Sequence, residues 1–302
     1  MRAITPLVLL LTLCLFAAGC PDQDGQSTEV QPQTLSTPDA EPAAIPVEQP
    51  AANDTPPLRI WADPAFEVPL KALADDFQAR YAPGYELRLI ERGELLDLIA
   101  EGIAELPDVF VIAERGLLTA LTEASLADET SARTFAGDRL VVARRPGETW
   151  ASATLFDLHR LFFEGFGLAD PGTALGYYSD QALISEGVRP RIEERLKLQP
   201  SIRALEVALA HDTVQIIMVY ASTVVQADNL EVVLVVGEDL HEDIRYLAVA
   251  GAGRFDRPGV MDLLRFLAED DEVQVKLAGY GLVDRETAMV EDRARTPTKT
   301  MR

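Results

Sequence analysis

The chain has 302 residues, 49 Asp and Glu against 27 Lys and Arg, and a formal charge of -22. Nucleic-acid binders draw most of their affinity from neutralising phosphates, so a chain with no basic excess is excluded from that class, as it is from docking on an anionic membrane through its own charge. With 48% hydrophobic and 25% charged residues, the composition is that of a globular protein with room for two modest domains.

The two cysteines fall within the first twenty positions. Arg2 supplies a positive start, Leu7 to Phe16 form an apolar run too short to span a bilayer, and Ala17, Ala18 and Gly19 place small residues before Cys20. Residues 1–19 therefore read as an export signal. Small residues closing on a cysteine resemble a bacterial lipobox, which implies that Cys20 is acylated and anchors the chain to a bacterial membrane as a periplasmic or cell-surface lipoprotein. A plain signal cut near Ala18 is the alternative. With Cys14 removed, no thiol is left for disulfides, metal binding or nucleophilic attack. Between Pro21 and Pro57 lie eight of the 19 prolines, seven acidic residues and no Lys or Arg, so residues 20–57 are expected to be a disordered, extended tether.

Beyond Pro57 short apolar strands alternate with amphipathic helices. Leu58 to Trp61 reads as a strand; Leu70, Leu73, Ala74 and Phe77 follow helical spacing; Leu87 to Ile90 is again a strand. Leu95, Leu98, Ile99 and Gly102 mark a second helix before the apolar strand Asp108 to Ile112. The second half continues with a strand at Leu140 to Ala143, a helix at Leu155 to Phe163 after Thr154, a strand at Phe166 to Ala169 and a helix at Tyr177 to Ser185. A helix at Ile202 to Ala210 precedes strands at Val214 to Val219, Val232 to Val236 and Arg245 to Ala250, and Val260, Leu263, Leu264 and Leu267 stripe a further helix. Such alternation predicts an α/β fold of mainly parallel sheets flanked by helices, in two lobes of ordinary domain size.

Four stretches carry a resemblance. They are Gly137 to Ala143, read as one strand bounded by turns; the strand and Gly/Pro turn from Gly167 through Asp170-Pro171-Gly172 to Tyr178; the strand Ile217 to Ser222, which ends in Tyr220 and Ser222; and the closing Leu277 to Leu282. In content and order they resemble the periplasmic molybdate-binding proteins of ABC transporters, over most of Leu58 to Leu282. The resemblance implies a type II periplasmic-binding-protein fold: lobe one from 58–139 plus 247–284, lobe two from 140–246, and two crossover strands near Arg139 to Arg144 and Ile244 to Val249. It also implies a monomer that captures a small oxyanion between its lobes by hinge closure and delivers it to an ABC permease, without a cofactor or metal. Residues 285–302, with four basic groups from Arg293 to Arg302 and no apolar pattern, read as a flexible basic tail.

By that resemblance Leu175 and Ile202 offer backbone contacts to the ligand, and Tyr220 a phenolic hydroxyl. Ala65 and Arg92 stand where the family places ligand serines. Arg92 is read either as an anchor for an anion, inorganic or organic, or as a surface arginine paired with Glu91, Glu94 or Asp63. Asp63 reads as a helix cap before Pro64, and Asp75-Asp76 and Asp270-Asp271 as solvated helix faces. A further alternative keeps the fold but makes the chain a sensor or assembly lipoprotein, its cleft filled by side chains such as Phe66 and Trp61. His159, His211 and His241 are isolated in sequence, which argues against zinc, and no nucleophile or phosphate-loop motif occurs, so the chain does not read as an enzyme.

Overall fold

A strand covered on both faces must be apolar throughout, whereas an edge strand can alternate or stay polar. That rule orders the computed structural model, which describes residues 56–81, 84–148, 152, 154–284 and 287. The expected signal at 1–19, Cys20, the tether as far as residue 55 and nearly all of the tail lie outside the described residues.

The chain opens with β1 (Leu58–Ala62), followed by a single 3-10 turn (Pro64–Phe66) that runs into α1 (Glu67–Tyr81). Then come β2 (Tyr85–Leu89), α2 (Arg92–Glu101), β3 (Val109–Ile112), α3 (Arg115–Glu123) and β4 (Arg133–Gly137). After Asp138 and Arg139 the chain enters a second sheet with β5 (Leu140–Arg144), β6 (Phe166–Ala169), α4 (Ala174–Ser185), the one-turn α5 (Arg189–Ile192) and β7 (Leu196–Gln199). α6 (Ile202–Ala210), β8 (Ile216–Tyr220), α7 (Ala221–Gln226) and β9 (Glu231–Val235) complete that half. Residues 236–244 lead back to β10 (Arg245–Ala250), α8 (Val260–Glu269), α9 (Asp271–Gly279) and β11 (Val283–Asp284).

The first sheet has the order β11-β4-β10-β3-β1-β2 and the second β7-β6-β8-β5-β9. In the first, β1, β2 and β3 are parallel and β10 runs antiparallel to β3 and β4; in the second, β6, β7 and β8 are parallel and β5 runs antiparallel to β8 and β9. The interior strands β3, β5, β6, β8 and β10 are buried at every position and the interior strands β1 and β4 at three of five, while the edge strands β2, β7 and β9 have no buried position. α1 lays Leu70, Leu73 and Phe77 into the first core, each worth about 2 kcal/mol of burial. Among the described residues no helix is long and apolar enough to cross a membrane.

Several expectations are corrected. The helix expected over Leu155 to Phe163 is only a 3-10 turn, Phe156–Arg160. The Arg195 guanidinium takes the carbonyls of His159 and Leu161, the backbone turns extended at Leu161, and Phe162 points to solvent. Gly137 to Ala143 is not one strand: β4 ends and β5 begins within it, in different sheets. Asp270 is not merely a solvated residue, because its carboxylate caps α9 through the amides of Glu272 and Val273 and binds Arg80 at 2.8 Å.

Two local constraints fix the start of α4 and the crossing between the sheets. Gly176, in the first turn of α4, packs so closely on the β6–α4 turn that a Cβ would lie 2.0 Å from the Asp170 carbonyl oxygen. Asp138, nearly buried at the crossing, accepts hydrogen bonds from the Ser222 hydroxyl and the amides of Arg139 (2.8 Å) and Ser222 (3.3 Å), closing the start of α7 against the crossing. Burial pushes its carboxyl up to about 7, and these donors only partly oppose the rise.

Gly176→Ala is expected to cost about 1–3 kcal/mol, seen as a lower urea midpoint with an unchanged m-value. For Asp138, the folded protein holds a proton between about pH 4 and pH 7 that the unfolded chain has lost, so its contribution falls as pH rises toward 7. Between pH 5.5 and pH 8 the stability difference from wild type should move by about 2 kcal/mol in favour of Asp138→Asn, measured by urea unfolding at both pH values.

Candidate functional site

In a parallel sheet the helices that follow the strands begin at one edge, and their first amides have no acceptor within the helix. In the second sheet this is the edge where β6 passes through Asp170, Pro171 and Gly172 into α4. The Asp170 carbonyl accepts from the amide and hydroxyl of Thr173, and the Thr173 hydroxyl oxygen in turn accepts from the Gly176 amide at 2.9 Å. Ser201 caps α6 in the same way, through the Ala204 amide at 3.2 Å. The amides of Ala174 and Leu175, and of Ile202 and Arg203, are left at the positive ends of their helices.

Both helix starts open on one cavity of about 370 Å³, walled on the other side by residues of the first sheet's connections, Asp63, Ala65 and Glu91. The Asp63 carboxylate accepts the Ala65 amide at 2.9 Å, and its carbonyl accepts the Phe66 amide at 3.0 Å. Asp63 therefore is a cap, as expected, and it takes up the Ala65 amide within the chain.

Of the five residues expected at the ligand, Ala65, Leu175 and Ile202 line this cavity, while Arg92 and Tyr220 do not. The Arg92 Nε donates to Glu114 Oε2 at 2.9 Å, and its guanidinium carbon lies 4.1 Å from the Tyr177 ring centroid, a cation–π contact that ties α2 to α4. It pairs with none of Glu91, Glu94 and Asp63; Glu94 instead takes Arg88. Glu114 is buried, which raises its pKa although Arg92 opposes the shift. Tyr220 is 1% exposed, and its hydroxyl has no hydrogen-bond partner among the described residues. Burial, with Tyr246, Asp63, Tyr178 and Asp138 nearby, raises its pKa well above the usual phenol range.

The aromatic side chains considered as a filling do not enter the cavity. Phe66 packs in the first core against Phe135 and Tyr246, at ring distances of 5.1 and 4.7 Å, and Trp61 stands edge-on to Phe110 under Arg88. The two halves meet beside the cavity: the Gly93 amide donates to the Gly172 carbonyl at 2.7 Å, and the Tyr178 hydroxyl to the Ala113 carbonyl at 2.8 Å.

Sequence reasoning assigned no part of the site to Glu91, Ser201 or Thr223, all of which wall the cavity. Ser201 had a signal, a serine directly before an apolar helix; Glu91 had none beyond its place next to α2. Burial pushes Asp63 up to about 6, and Glu91 is pushed up to about 7 by burial and then by the charges of Asp63, Glu94 and Asp170. Among the described residues no group of three or more His, Cys, Asp or Glu is arranged to hold a metal ion.

The fold is similar to that of several solved structures. The periplasmic molybdate-binding protein of Azotobacter vinelandii is 17% identical with a TM-score of 0.61, covering 75% of this chain and 98% of that one. The sulfate-binding protein SubI of Mycobacterium tuberculosis is 15% identical with a TM-score of 0.62, covering 80% and 90%. Iron-bound HitA of Pseudomonas aeruginosa is 15% identical with a TM-score of 0.59, covering 74% and 84%. At such identities the likeness shows a shared two-lobe fold. No curated protein sequence matches the chain significantly. The family of bacterial extracellular solute-binding proteins matches residues 58–283, nearly the whole of the described structure, and the chain belongs to that family.

Proposed function

We propose that this protein is the receptor of an ABC importer, exported and held to a bacterial membrane by a lipid on Cys20, and that it captures a small solute bearing an oxyanion group. Lobe one comprises 58–139 plus 247–284 and lobe two 140–246, with hinge motion about Asp138–Arg139 and 236–244. The oxyanion is held by the first amides of α4 and α6, around Leu175 and Ile202, with Ala65 closing the opposite wall. Helix starts suit such a group because their amides and dipoles need no counter-cation, which matters in a chain this acidic. Delivery follows when the closed form, stabilised by ligand bridging both lobes, docks on its permease.

The observation that carries this reading is the convergence of Ala65, Leu175 and Ile202 on one cavity, from segments up to 137 positions apart in the chain. A molybdate-binding and a sulfate-binding protein of the same fold are consistent with an oxyanion group, and the family with a transported solute.

A thermal-shift panel of molybdate, tungstate, sulfate, phosphate and small carboxylates, sulfonates and phosphonates tests the reading. At millimolar concentration at least one member should raise Tm by several degrees, as about 100-fold saturation adds roughly 2.7 kcal/mol. Ile202→Trp, which fills the cavity, should abolish that rise. No shift with any member, or a shift that survives Ile202→Trp, overturns the proposal.

A further inference from the structure

Five charged side chains wall the cavity: Asp63, Glu67, Glu91, Arg203 and Glu206. Glu67 is engaged by Lys71, and Arg203 and Glu206 hold each other at 3.1 Å. Asp63 and Glu91 have no cation among the described residues. Asp63 is 6% exposed, and its Oδ2 has no hydrogen-bond partner among the described residues, since the one bond to its carboxylate is Ala65 N to Oδ1. The Glu91 side chain likewise has no hydrogen bond among the described residues, and Arg92 beside it is turned away to Glu114.

Asp63 is buried and Glu91 half-buried, and a carboxylate so withdrawn from water without a counter-charge is costly until a cation is brought to it. The two walls are thus of opposite character. One presents four helix-start amides, which attract negative charge; the other presents two unpaired carboxylates, which repel it. A simple dianion would satisfy the first wall and be opposed by the second, and Arg203, the cation on the first wall, is already held by Glu206.

We infer that the solute is zwitterionic: a carboxylate, sulfonate or phosphonate end seated on the starts of α4 and α6, and an ammonium end paired with Asp63 and Glu91. This rests on the receptor reading above and names the ligand class of that same cavity. Each lobe would bind one end, so the ligand itself supplies the bridge that favours closure. A cavity of about 370 Å³ is in the range of small-molecule sites and accommodates amino-acid-sized compounds. Discrimination against anions without an amine follows from the carboxylates left unpaired in such complexes.

Matched pairs test this by isothermal titration: taurine against ethanesulfonate, 2-aminoethylphosphonate against ethylphosphonate, and the common L-amino acids against propionate, with molybdate, sulfate and phosphate alongside. At least one amino-bearing compound should bind at least about 30-fold more tightly than its amine-free partner, the gain expected of a desolvated charge pair. Asp63→Asn keeps the cap on Ala65 and Glu91→Gln keeps the side-chain length; each should reduce that preference about 10-fold or more, with the amine-free partner binding more tightly because an opposing charge is removed. Preference for amine-free compounds or inorganic oxyanions overturns the zwitterion assignment and leaves the receptor reading standing. An amine preference unaltered in both variants overturns the assignment of Asp63 and Glu91. Binding by no compound in the whole panel overturns both readings.

Discussion

The direction of the strands is the constraint on which the rest of this molecule depends. β1, β2 and β3 are parallel in one sheet and β6, β7 and β8 in the other, and interior strands such as β3, β6 and β8 are buried along their whole length. Burial on both faces demands covering helices, and a right-handed strand–helix–strand crossover starts each helix at the same edge of its sheet. The starts of α4 and α6 therefore come together because of sheet topology, with no need for a motif that brings them there. A cavity walled by backbone amides is a by-product of folding in this way, and its selectivity has to come from what the other wall adds.

The opposite wall adds negative charge. The first helix begins with Asp63 taking its own chain's Ala65 amide, and the second begins next to Glu91, while the guanidinium of neighbouring Arg92 is committed to Glu114 and Tyr177. Arg92 thus works as a strap between the halves of the molecule, together with the Gly93–Gly172 and Tyr178–Ala113 hydrogen bonds. The carboxylates it leaves unpaired set the electrostatic character of the cavity. Overall acidity reinforces this, since a formal charge of -22 adds a long-range negative field to that of the two carboxylates.

Much of the fold was legible along the chain. Leu70, Leu73, Ala74 and Phe77 at helical spacing mark α1, and the unbroken apolar runs at Val109–Ile112 and Ile216–Tyr220 mark buried strands, because burial periodicity is written directly in side-chain type. β4 was not legible: Arg133 and Thr134 are only half-buried, and the strand gains its place by pairing with β10, more than a hundred positions away. Leu155 to Phe163 misled for the converse reason, since a local apolar pattern was overridden by Arg195 drawing carbonyls out of the helix. In the site, Leu175 and Ile202 were placed through the family resemblance and do line the cavity, just after the caps Thr173 and Ser201, whereas Glu91 was not legible, because a carboxylate beside a helix is usually only solvated.

The sequence alone determined the class of fold and the acidity, because hydrophobic period and charge are local properties that each segment carries with it; the helix expected from Tyr177 in fact starts at Ala174, where the Asp170–Thr173 turn sets it. Only the tertiary structure decided which charges find partners. Arg92 lies next to Glu91 in the chain, yet it bonds Glu114 and stacks on Tyr177, and the choice depends on desolvation and geometry set by three separate segments. Pairing of charges is a three-dimensional property, and so is the polarity of the cavity that results from it.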